Sequence, residues 1–399
     1  MILRLDAPVF EDDAAVADAA ALAGLGGEFT RVLRETARAA AERPGLLDTL
    51  RRARRVLFDT DDDPADAMRR LDSAAGPLAD RTHELLVLDV VRLLLQRQGR
   101  RGVPEDVTHA VIDCQPGLWL RAVERELIGT TGSHAGGGDV DREPEPEWDP
   151  EWFRLVARGD LYRLGRLEFA PMKWRHPFRW FRNRHTGERV LVADDGLPLT
   201  ADGYLTGDLT WTTRHREDGD AIEAHAVHPS GHVQRRPVRL PQADWEPVLS
   251  RGDRVLDLHV PSDGGRLTPA LVRDSLEQAG PFFDRWYPDR PFVAFFCGSW
   301  LFGPQLPGIL GHSSGIVAWQ REGYLLPDAG PSSGVLRWVF GTREVEPATA
   351  PRDTRLRAGL LDLVAAGETL RQGGWLFARD DLPRFGTQPY GQGLPRREP

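Results

Sequence analysis

The stretch Val255-Leu-Asp-Leu-His-Val-Pro-Ser-Asp-Gly-Gly-Arg-Leu-Thr-Pro269 restricts the fold more than any other part of this chain. Leu256 and Leu258 alternate with Asp257 and His259, which predicts a strand carrying two polar side chains on one face. Pro261 ends that strand, and Gly264-Gly265 permits a tight turn. Thr268-Pro269 supplies an N-cap and a first helical residue for a helix running to Trp286. A strand-to-helix junction of this kind aims unpaired backbone N–H groups and the positive end of a helix dipole at one spot, which suits a phosphate. Many such junctions bind nothing, so the pattern alone leaves both readings open.

A chain of 399 residues accommodates two or three domains, and 41% hydrophobic with 28% charged residues is the composition of a soluble globular protein. The net charge of −9 argues against nucleic acid as a bulk partner, and the basic stretches Arg175 to Arg189 and Arg235-Arg236 are expected to form a solvated face. Cys114 and Cys297 are too sparse for a disulfide framework or a zinc site, which fits a reducing, cytoplasmic setting. His225, His228 and His232 flank a predicted hairpin without cysteine or helical spacing, so no metal is expected. The amino terminus lacks the basic start and apolar core of a signal peptide, and no apolar run is long enough to span a bilayer.

From Ala14 to Ile128 the chain is rich in Ala, Leu and Arg and predicts a set of helices. The crowded segment Leu85 to Leu95 is expected to be a buried central helix. The division expected is a helical domain over 1–131, a breaker-rich linker over 132–147, a second domain over 148–379 and an irregular tail over 380–399. Strands are predicted at Leu161 to Phe169, Glu188 to Ala193, Ala221 to Val227, His232 to Leu240, 291–297, 315–326 and 334–340. A short helix is expected from Trp300 to Leu310, a further one over Asp353 to Ala366, and a short strand at Gly373 to Phe377. Trp174, Phe178, Trp180 and Phe181, interleaved with Arg175, Arg179 and Arg182, fit either a stacking surface for adenine or RNA or a core-and-rim strand.

The order strand, glycine turn, helix, strand, short helix and closing strands resembles the second half of the GNAT (Gcn5-related) N-acyltransferase fold. Val255-Leu-Asp-Leu-His-Val-Pro, Leu267-Thr-Pro269, Cys297-Gly-Ser-Trp-Leu301, Pro304-Gln-Leu306 and Ser313-Ser-Gly-Ile-Val317 are similar to signatures of a bacterial two-part acyltransferase group. Arg163-Leu-Gly-Arg-Leu-Glu-Phe169 and Gly102-Val-Pro104 resemble its front part. The resemblance implies an α/β (α+β) architecture, a helical N-terminal domain followed by a GNAT-like mixed-sheet domain. It implies transfer of an acyl group from acyl-CoA, with acetyl-CoA the simplest donor, to the amine of a small molecule or peptide.

The resemblance places the coenzyme A pyrophosphate on the turn formed by Val260, Ser262, Gly264, Gly265, Arg266, Leu267 and Thr268. Asp263 departs from the family pattern at a position where it repels a phosphate. Backbone N–H near Val260 would polarise the thioester carbonyl. For the base we choose His259, whose ordinary pKa lies near working pH, with Asp257 about 7 Å away by strand rise to orient it or to act in its place. Both also fit a structural polar pair. Ser299 is the candidate donor to the leaving thiolate, Glu168 a carboxylate for the substrate amine or a salt bridge, and Cys297 a core residue before a nucleophile. No tyrosine occurs over 300–310, where many GNAT enzymes carry their acid, and Gly298 stands where relatives are expected to carry His. Two other readings therefore stand beside the first: the same fold using aminoacyl-tRNA or an acyl carrier protein as donor, and a catalytically silent module that binds a ligand or protein.

Overall fold

Central to the first of two compact units is helix α5 (Ala79–Arg101), whose run Leu85 to Leu94 is buried on every side. The computed structural model describes residues 7–128, 149–261, 263 and 265–391; the linker expected over 132–147 lies outside them. Around α5 pack α1 (Asp13–Leu22), α2 (Gly27–Ala41), α3 (Pro44–Phe58), α4 (Pro64–Ala75), α6 (Glu105–Cys114), α7 (Pro116–Ile128) and α8 (Pro150–Ala157), followed by the short strand β1 (Tyr162–Leu164). Apolar residues at helical spacing, such as Phe29, Leu33, Ala37 and Ala40 of α2, close the core. Asp89 in the middle of α5 is fully buried and satisfied: it accepts from the Val9 backbone N–H at 2.7 Å and from Arg54 Nε at 2.6 Å.

This unit runs to Leu164, beyond the boundary at 148 that composition suggests. The reason is local. Helix α8 belongs to the bundle because Arg154 reaches the carbonyls of Val56 and Leu57 at the exposed end of α3.

The second unit begins at Gly165. Its strands are β2 (Leu167–Lys173), β3 (Phe178–Asn183), β4 (Arg189–Ala193), β5 (Pro198–Thr200), β6 (Leu209–Thr212), β7 (His215–Glu217), β8 (Ala221–His228), β9 (His232–Pro241), β10 (Trp245–Leu249) and β11 (Arg254–His259). Helix α9 (Pro269–Trp286), strand β12 (Ala294–Ser299), helices α10 (Leu306–Leu310) and α11 (Gly315–Glu322), strand β13 (Tyr324–Pro327), helices α12 (Ser332–Phe340) and α13 (Arg355–Ala365), and strand β14 (Gly373–Ala378) follow. One sheet carries the order β2-β11-β12-β14-β13 and the other β10-β3-β4-β8-β7, with β9 on β8; β5 and β6 form a ribbon. Within the first sheet only β11 and β12 run parallel, joined through α9. The fold is the one expected: a helical region, then a mixed sheet with a strand-helix-strand crossover at 254–299.

Several elements differ from the sequence prediction. The expected strand over 161–169 is broken at Gly165, whose φ of 67° makes it a turn. The stretch over 315–326 divides into α11 and β13, and the stretch over 334–340 is helix α12. Both helices contain β-branched apolar residues that favour strands locally, but Val335, Leu336 and Val339 fall on one helical face against Leu360 and Leu370. Tertiary packing overrides propensity there. Tail residues pack into the core: Phe385 and Tyr390 are buried, and the Tyr390 hydroxyl donates to Asp381 at 3.0 Å. Trp174, Phe178, Trp180 and Phe181 are core residues, while Arg179 and Arg182 pair with Asp194, Glu217 and Glu246, which selects the core-and-rim reading.

Candidate active site

Strand β11 is buried on both sides, by β2 and β12, so any polar side chain it carries must find partners in the sheet. After Arg254 at its start it carries Asp257 and His259, on the face opposite Leu256 and Leu258. The structure brings them together: His259 Nε2 lies 3.3 Å from Asp257 Oδ2. In antiparallel register His259 stands directly opposite Glu168 of β2, a fully buried carboxylate, so three of the four expected catalytic residues share one patch of one face. Burial alone would lower the His259 pKa. The Asp257 charge and hydrogen bond, with the Glu168 charge behind them, outweigh burial and hold it above its ordinary value.

The fourth residue, Ser299, is elsewhere. Alternation along β12 puts Ser299 and Cys297 on the face opposite Phe296 and Gly298, and Phe296 is the register partner of Asp257. The Ser299 hydroxyl caps the turn that follows, accepting from Leu301 N at 3.2 Å. Burial, with the Asp257 charge adding to it, pushes the Cys297 thiol well up, which fits a buried core residue better than a nucleophile.

Pairing between β11 and β12 runs from Val255↔Ala294 to Asp257↔Phe296 and stops. Beyond that point β11 continues beside β2 as far as His259↔Glu168, and β12 continues beside β14 as far as Ser299↔Gly373. The two parallel strands therefore part at their carboxyl ends, with the His259 cluster on the β11 arm. Such a gap leaves strand-edge backbone groups available to a ligand.

Sequence reasoning missed the residues that close the patch. The His176 ring lies 4.4 Å from the Phe296 ring and 4.7 Å from the Trp174 ring. Burial lowers the His176 pKa, against the opposing charges of Asp328 and Asp257. A Cβ on Gly298 would meet the Phe296 ring at 3.4 Å and Asp328 Oδ2 at 4.0 Å, so a side chain there would enter this same group.

The turn after β11 is held from beneath by Arg166, a residue of the Arg163–Phe169 signature to which the sequence reading assigned no role. Its guanidinium donates to the carbonyls of Pro261 at 2.7 Å and Gly265 at 3.2 Å, while its backbone N–H donates to Ser275 of α9 at 2.8 Å. Contacts across so much sequence leave no local signal. Ser262 and Gly264 lie outside the described residues; Gly265 adopts a left-handed φ of 64°, and Asp263 and Arg266 are exposed. Thr268 caps α9 as expected, its hydroxyl accepting from Leu271 N at 3.3 Å. Gly315 approaches Leu267 so closely that a Cβ would stand 2.6 Å from the Leu267 carbonyl oxygen. Val260 follows the last strand residue at the mouth of the gap.

A family profile described as a GNAT-like C-terminal domain matches residues 161–376. No curated protein matches the chain. A crystal structure of an acyltransferase in complex with decanoyl-CoA and teicoplanin aligns over 92% of this chain and 88% of its own, at 20% identity and a TM-score of 0.54. An acyltransferase in complex with decanoyl-CoA alone aligns over 91% of this chain and 98% of its own, at 20% identity and a TM-score of 0.46. At such identities the first of these likenesses speaks for the fold.

Proposed function

The chain belongs to the family defined by the GNAT-like C-terminal domain, and from that premise we propose that it is an acyl-CoA-dependent N-acyltransferase acting on the amine of a small molecule or peptide. The observation that carries this reading is the parting of β11 from β12 beside His259, Asp257 and Glu168, with the α9 turn immediately after it. The thioester would lie in the gap, its carbonyl oxygen on strand-edge N–H near Val260, and its pyrophosphate on the turn that Arg166 holds.

The reaction needs one proton removed before attack. His259, neutral above its raised pKa, takes it from the ammonium; the free amine attacks the thioester carbonyl, and a C–N bond forms. Collapse of the tetrahedral adduct breaks the C–S bond. The second nitrogen proton is lost as the thiolate departs and is taken up by the sulfur directly or through water. Ser299, capping on the other face, has no part in this reading. Asp257 orients and stabilises the imidazolium, and Glu168 offers a carboxylate to the incoming ammonium. Acyl-CoA is implied as the co-substrate and free coenzyme A as the product, with no metal step.

The tRNA or carrier-protein alternative finds less support in this stretch, because Arg179, Arg182, Arg184 and Arg189 are each ion-paired with neighbouring carboxylates, which leaves Arg175 as its exposed cation. Thermal or chemical unfolding with and without acetyl-CoA tests the proposal. A ligand at 100 times its dissociation constant adds about 2.7 kcal/mol. Stabilisation of that order by millimolar acetyl-CoA is expected, and no shift would remove the donor assignment. Stabilisation without acyl transfer to any amine would favour the silent module.

A further inference from the structure

A second site lies on the other sheet of the same unit, and it shares no residue with the β11 cluster or the α9 turn. A depression of about 300 Å³ is lined by Trp211, Thr212, Arg214, Arg216, Glu223, His225, Arg235 and Pro237, from β6 to β9. Its walls are fixed. The Trp211 indole N–H donates to the Thr200 carbonyl at 2.6 Å, which ties it to the β5–β6 ribbon. Arg235 lies over that indole at 5.7 Å, and the ring of the buried His225 stands 5.1 Å away. His225 Nδ1 is engaged by the Gln234 carbonyl at 3.0 Å, so Nε2 is the ring's remaining polar atom.

The charge of this lining is unbalanced. Arg214, Arg216 and Arg235 are exposed, and none of the three takes part in an ion pair among the described residues. The neighbouring cations are otherwise occupied: Arg179 pairs with Glu217 at 3.0 Å and Arg239 with Asp218 at 3.5 Å. Glu223 is the single carboxylate in the lining, and it is the cross-strand neighbour of Arg216. Three guanidinium forks against one carboxylate leave room for two negative charges, and the planar fork of arginine matches phosphate oxygens in pairs. A phosphate monoester carries close to two charges at neutral pH.

We infer that this pocket binds a phosphate monoester, with Arg214, Arg216 and Arg235 on the phosphate oxygens and Trp211 against the organic group that carries it. The inference goes beyond acyl transfer and uses none of its residues.

Isothermal titration of the full chain with phenyl phosphate at constant ionic strength, inorganic phosphate serving as the comparison, tests it. The expected result is saturable single-site binding of phenyl phosphate, tighter than that of inorganic phosphate. The double substitution Arg214→Gln with Arg235→Gln should weaken it about tenfold or more, and Glu223→Gln should tighten it. These side chains are exposed, so the fold does not depend on them. Equal affinity in the double variant would overturn the assignment. Competitive displacement of phenyl phosphate by acetyl-dephospho-CoA, which carries no phosphate monoester, would overturn it as well, because the phosphate would then be bound at the donor site.

Discussion

His259 decides whether the β11 cluster can act as a base, because only its neutral imidazole can accept a proton from an ammonium group. Its pKa is raised, burial being outweighed by Asp257 and Glu168. Titration of the His259 ring by NMR should therefore show a midpoint above the ordinary value of about 6.5. Asp257→Asn should lower it, and a wild-type midpoint below 6.5 would contradict the coupling. The stability contribution follows the same sign: it is fully present below the unfolded pKa and is lost as pH rises through the folded one. Glu84 offers a second reading of burial. Desolvation in α5 pushes its pKa to about 7, against the nearby Arg81 guanidinium. Stability from this group is present below the unfolded value of 4.5 and lost as pH rises towards 7. At pH 8 the charged form costs about 3 kcal/mol, from the size of the shift. Glu84→Gln should accordingly stabilise the chain at pH 8 and leave it nearly unchanged at pH 4 in urea unfolding. An equal effect at both values would contradict the assignment.

At the scale of elements, the junction from β11 to α9 was legible because each of its parts has a local cause: alternation for the strand, Pro261 to end it, Thr268 and Pro269 to start the helix. Its support was not. Arg166 stands within the Arg163–Phe169 signature but meets the turn from another strand connection, so the motif gives no sign of its role, and His176 and Asp328 approach through packing that no spacing in the sequence marks. Ser299 shows the limit of alternation used without register: the residue belongs to β12 as expected, but the pairing with β11 sets it on the far face. Hydrogen bonds from a charged group contribute about 1.5–3 kcal/mol each. Loss of the Arg166 guanidinium should loosen the turn and weaken acetyl-CoA binding about tenfold or more in Arg166→Ala, with Arg166→Lys retaining part. Wild-type affinity in a folded Arg166→Ala chain, checked by circular dichroism, would show that the turn does not hold the donor.

For the whole molecule, two compact units each carry their own core, one centred on a helix buried all round and the other on a mixed sheet. Composition separated them correctly in kind, since helix-period and strand-period patterns differ, yet placed their boundary before α8, because an amphipathic helix of eight residues looks alike in either neighbour. Among the described residues no helix is long and apolar enough to cross a membrane. The central claim is that the junction over 258–271 receives the acyl donor. Hydrogen-deuterium exchange of the full chain with and without acetyl-CoA tests that placement directly. Protection of backbone amides over 258–271 on binding is the predicted result; binding with that segment unchanged and protection confined to other strands would contradict it.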